Sequence, residues 1–131
     1  MADKEQLFTE LTPKEGAVIE GGARLFLYKA LALRASSDIL PGVNGDDVVI
    51  KLNGNKIHGT VKNVKTGDVI NINKFFDFSG TATLDFFDAD PPGNPDDYLG
   101  GFNVKNPTNG QTSRVISGSD SEYRVFYEVI A

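Results

Sequence analysis

The sequence contains no cysteine, which removes disulfides, thiolate nucleophiles and zinc–thiolate sites and leaves the redox compartment open. It has no tryptophan and one histidine, His58, so the inventory for acid–base chemistry is thin. His58 falls in a predicted strand with no acidic or nucleophilic neighbour, where a solvent-facing or hydrogen-bonded structural role suits it better than that of a base. A basic excess is missing as well. Thirteen Lys and Arg face 18 Asp and Glu, for a net charge of −5 and a pI near 4.7. Phosphate binding wants clustered cations, so nucleic acid is not an expected partner. No apolar run approaches the ~18 residues of a membrane-spanning helix. What is present is 131 residues, 40% hydrophobic and 24% charged, enough to bury one core.

The N-terminal segment Met1 to Gly22 reads as a separate unit. It lacks the apolar stretch of a Sec-type signal peptide and reads as a short amphipathic helix with a sharp stop. Thr12-Pro13-Lys14-Glu15 has the form of a capping box, in which the Thr hydroxyl accepts from the Glu15 amide and the Glu15 carboxylate reaches back. Pro13 sits where a first helical residue can spare its N–H. Leu7, Phe8, Leu11, Val18 and Ile19 mark one apolar face, and Gly21-Gly22 ends the pattern. The run Leu11-Thr12-Pro13-Lys14-Glu15-Gly16-Ala17-Val18-Ile19-Glu20-Gly21-Gly22 closely resembles the double-glycine leader of bacteriocins and related exported peptides. That resemblance implies a peptidase-containing ABC exporter as partner, with Phe8, Leu11, Glu15 and Ile19 as the gripped positions. It also implies a cut after Gly21-Gly22, so that the mature chain starts at Ala23 and is secreted. A glycine-terminated helix belonging to the folded domain is the plainer alternative.

From Ala23 onward the runs are short and the turn signals frequent. Strands are expected over Arg24–Arg34, Val48–Leu52, Lys56–Val61, Val69–Asn73, Thr81–Phe86, Phe102–Val104, Ser113–Ile116 and Tyr123–Ile130. Asn53-Gly54 is a strong hairpin signal between two of them. No stretch of this part carries a 3.6-residue period. About eight short strands with turns every ~8–12 residues predict an all-β fold, an antiparallel β-sandwich. Leu25, Leu27, Ile50, Ile70, Ile72, Leu84, Phe86, Val125 and Tyr127 are the expected core.

Two loops gather the acidic residues. One runs from Asp38 to Asp46-Asp47 and feeds the strand Val-Val-Ile-Lys-Leu; the other is Asp88-Ala89-Asp90-Pro91-Pro92-Gly93-Asn94-Pro95-Asp96-Asp97. If the loops meet at one end of the sandwich, seven carboxylates converge. Such crowding of like charge is costly unless a cation screens it. A hard ion with oxygen ligands, Ca²⁺ rather than Zn²⁺ or Cu²⁺, suits that donor set. Taken singly, each aspartate is an ordinary turn former. The spacing Asp88-x-Asp90 followed by Asp97-Tyr98-Leu99-Gly100 resembles the third calcium loop of the C2 domain of protein kinase C and synaptotagmin. The upstream Asp38 and Asp46-Asp47 resemble that domain's first calcium loop, and the likeness runs over roughly Leu31 to Gly100. It implies Asp38, Asp47, Asp88, Asp90 and Asp97 as calcium ligands, with Asp46 and Asp96 as alternates.

Lys51, Lys56, Lys62, Lys65 and Lys74 read either as a basic face suited to anionic lipid or as the wet side of strands. Phe75, Phe76, Phe78, Phe86 and Phe87 read as core or sub-loop packing. The sequence thus leads to the expectation of an exported, non-enzymatic, C2-like calcium-binding sandwich over residues 23–131. The alternative is a secreted bacteriocin-like toxin or effector that engages a surface receptor or membrane.

Overall fold

The computed structural model describes residues 22–35, 45–90 and 93–131. The leader positions Phe8, Leu11, Glu15, Ile19 and Gly21 lie outside the described residues, as does Asp38. Among the described residues there are nine strands and no helix.

Strand β1 (Ala23–Arg34) begins at the residue that would follow the expected cut. Its apolar alternation is only partial in sequence, and the reason is a bulge. Leu27 faces Tyr127 and Lys29 faces Phe126, so Tyr28 is an extra residue on β1. The inward set therefore changes from Leu25 and Leu27 to Ala30 and Ala32. Strand β2 (Asp46–Leu52) turns back through Asn53 and Gly54, with φ of 50° and 83°, the two left-handed residues that a tight hairpin turn needs.

The single partner strand expected over Lys56–Val61 is instead two segments, β3 (Asn55–Lys56) and β4 (Val61–Val64), both paired with β2. Between them the chain leaves the ladder around Gly59, which has no side chain to offer a cross-strand pair. The remaining strands are β5 (Val69–Phe78), β6 (Ala82–Asp88), β7 (Asp97–Val104), β8 (Thr112–Gly118) and β9 (Ser121–Ile130).

They form two antiparallel sheets, β5-β1-β9-β8 and β3-β2-β6-β7, with β4 alongside β2 in the second. The inner faces meet in one core, and all nine expected core residues are in it. Its largest fully enclosed side chains include Tyr123, Phe86, Leu25, Leu27, Ile50 and Leu99. The fold is an antiparallel β-sandwich.

One side of the sandwich is shut by a backbone approach between sheets. Gly100 on β7 has φ +116°, and a Cβ there would lie 2.7 Å from both the amide nitrogen and the carbonyl oxygen of Ser117 on β8. Gly100→Ala is therefore expected to cost about 1–3 kcal/mol of stability, read from the urea midpoint. An unchanged midpoint would mean that β7 and β8 do not meet this closely.

Candidate metal centre

The acidic end of the molecule is built by the β6–β7 hairpin. The register sets Asp88 directly opposite Asp97, the last residue of β6 against the first of β7. Like charges placed opposite one another on neighbouring strands repel. The hairpin holds them together by burying Leu99 completely and by packing the Tyr98 ring against Phe87, centroids 5.4 Å apart. Sequence alone starts this strand at Phe102, because an aspartate and two glycines in Asp97-Tyr98-Leu99-Gly100-Gly101 read as loop; the buried Leu99 is what draws them into the sheet.

Asp90 follows β6 into the connecting loop, and its amide donates to Asp96 Oδ1 at 3.1 Å, which shapes the turn. The outcome is that Asp88, Asp90 and Asp97 bring one carboxylate oxygen each within 4.8 Å of one another.

Asp46 and Asp47, the described acidic residues of the other segment, arrive at the same end. Asp47 follows the first residue of β2, beside the end of β6, and its amide donates to Asp88 Oδ1 at 2.7 Å. Its carbonyl accepts from the Ala89 amide at 2.8 Å, and its Oδ1 accepts from the Asn63 amide at 3.0 Å. Asp46, one residue earlier, turns inward instead. It is 0% exposed, and its Oδ2 accepts from the Ser121 hydroxyl at 2.8 Å and the Tyr123 hydroxyl at 2.7 Å. Nothing in the sequence marks these donors, which lie 75 and 77 residues away. Of the seven candidate carboxylates, then, Asp88, Asp90 and Asp97 form the cluster and Asp47 adjoins it. Asp96 closes the loop, Asp46 is in the core, and Asp38 is outside the described residues.

The electrostatics follow from this crowding. Partial burial pushes the Asp88 carboxyl up to about 6, with the charges of Asp46, Asp90 and Asp47 adding to the rise and the Asp47 amide opposing it. Asp90 is also raised, by desolvation first and then by Asp97 and Asp96. The donors are carboxylate oxygens, without nitrogen or sulfur, and that set suits a hard divalent cation. Two oxygens on opposite sides of one Ca²⁺ at ~2.3–2.6 Å are about 4.6–5.2 Å apart, so three oxygens within 4.8 Å can share one ion with little movement.

The other residues singled out by sequence are dispersed. Lys51 lies over the Phe87 ring at 5.0 Å, and Lys56 donates to Thr60 Oγ1 at 2.7 Å. Lys74 Nζ is 3.1 Å from His58 Nδ1; an ammonium only donates, so Nδ1 is the accepting nitrogen. His58 is held below the usual histidine range by partial burial and by the Lys74 charge. Phe78 and Phe86 are in the core and Phe76 packs against it, whereas Phe75 is 57% exposed and packs on Phe26 of β1.

No protein-family model matches the chain, and no curated protein does. Among solved structures, the chain is similar to one described as the structure of a C2 domain, at 15% identity and a TM-score of 0.42, covering 84% of this chain and 98% of that one. It is similar also to a C2 domain protein from Ramazzottius varieornatus, at 14% identity and a TM-score of 0.42, covering 87% and 91%.

Proposed function

We propose that this protein is a calcium-binding module in which Asp88, Asp90 and Asp97 hold the ion. The observation that carries the reading is the meeting of those three carboxylates at the β6–β7 end, with Asp88 pushed up to about 6 by burial and neighbouring charge. Like charges held this close by the fold cost free energy, and a divalent cation offsets it. Asp47 adds a further negative charge beside the site, and Asp96 fixes the backbone of Asp90. The resemblance of these loops to the calcium loops of C2 domains supports the same assignment.

Calorimetric titration with CaCl2 tests it. The wild-type chain is expected to give a saturable heat, and the double variant Asp90→Asn with Asp97→Asn to give none while keeping its far-UV circular dichroism. Equal heats from the two proteins would refute the site.

The same reading extends to where the protein works. Removal of residues 1–22 by a peptidase-containing exporter leaves a chain that starts at Ala23, the first residue of β1, so every described strand survives the cut. Outside a cell, calcium near the millimolar range fills even weak sites. Mass spectrometry of material released by the native host is expected to show an N terminus at Ala23; a released chain that still carries residues 1–22 would refute processing.

A further inference from the structure

Asp46 shares the chemistry of the clustered aspartates but not their surroundings. Its carboxylate is wholly enclosed and accepts from Ser121 and Tyr123, both on β9 in the opposite sheet. A buried carboxylate is costly unless hydrogen bonds replace its lost hydration, and bonds to an ionised acceptor are the strong kind. The pair of hydroxyls therefore pins the start of β2 to β9.

The next residue along is gripped from the other direction. Asp47 donates its amide to Asp88 and accepts the Ala89 amide on its carbonyl. The peptide between Asp46 and Asp47 is thus held by the opposite sheet on one side and by the metal centre on the other.

We infer that Asp46 is a positioning residue for the metal centre, tethering β2 to β9 through Ser121 and Tyr123 so that the Asp47 amide fixes the Asp88 carboxylate. The inference rests on the calcium reading of Asp88, Asp90 and Asp97. It gives Asp46 a role distinct from theirs, because its carboxylate faces the core and its effect passes through the backbone of Asp47. Groups that orient metal ligands in this way change affinity by about 10–100-fold when removed.

The test turns on a difference of sign. CaCl2 is titrated into the wild type, Tyr123→Phe, Ser121→Ala and, as a control for general loosening, Val129→Ala near the far end of β9. The tether predicts that Tyr123→Phe and Ser121→Ala each weaken calcium about 10-fold and speed hydrogen exchange at the Asp47 and Ala89 amides. Val129→Ala lowers stability but leaves the affinity alone. Were Asp46 itself a ligand, freeing it from Tyr123 would leave calcium binding unchanged or tighter. That result, or an equal loss in Val129→Ala, overturns the tether. A wild type without calcium heat refutes the calcium reading alone, and exchange at Asp47 and Ala89 then decides the tether. Faster exchange in Tyr123→Phe than in Val129→Ala upholds it, and matched rates overturn it.

Discussion

Calcium at about 100 times its dissociation constant is expected to raise the unfolding free energy by about 2.7 kcal/mol near pH 7. That increment should begin to shrink as the pH falls through about 6. The sign follows from Asp88. An unfolded aspartate titrates near 3.9, whereas burial and neighbouring charge push Asp88 up to about 6 in the folded protein. Between those values the native state binds a proton that the unfolded chain does not, so the metal-free protein gains stability from this group as the pH drops. Above about 6 the cost of keeping Asp88 ionised is fully present. Calcium needs the ionised form and cancels the trend, since protons and metal then compete for the same oxygens and the calcium-bound protein holds no proton on Asp88. Urea unfolding at several pH values from about 5 to 7 should give a stability that falls with rising pH in chelator and stays nearly level in CaCl2. Parallel profiles would separate Asp88 from any bound ion.

Phe86→Ala should have the largest effect on the fold itself, about 3–5 kcal/mol. Phe86 is 0% exposed in β6, and its ring lies 5.8 Å from that of Tyr123 on β9, so it bridges the two sheets. Truncation leaves a cavity that rigid sheets on either side fill poorly. Because Asp88 is two residues along the same strand, the variant should also loosen the acidic end and weaken calcium. A loss below about 1 kcal/mol in the urea midpoint would show that the sheets repack freely around the gap.

The parts of this fold that were legible in sequence are those governed by local rules. Alternation in Val69–Asn73 and Thr81–Phe86 marked Ile70, Ile72, Leu84 and Phe86 as inward, and Asn53-Gly54 fixed a turn through its two left-handed residues. Features set by distant partners were not legible. The irregularity at Tyr28 is defined by the strands beside it, β9 and β5, and with a second shift between Ala32 and Arg34 it explains why β1 alternates badly. Local pattern alone makes β7 short, because Leu99 joins the sheet through burial that sequence does not display. At the acidic end, Asp88-x-Asp90 and Asp97 met because one hairpin joins them, which spacing can suggest. The inward turn of Asp46 depends on two hydroxyls from β9, and composition carries no trace of that.

The closure at Gly100 has a consequence for how this molecule meets copies of itself. With β7 backed against β8, a strand from another chain finds no room on that flank. The opposite flank is different: among the described residues β5, ten residues long, ends its sheet there, and strand margins of this length invite edge-to-edge aggregation. Lys74 sits in the middle of that margin and turns its ammonium to the Ile57 carbonyl and to His58. A cation posted at a strand border is a standard deterrent to runaway strand pairing, so the margin that no described strand covers is the one that carries a charge.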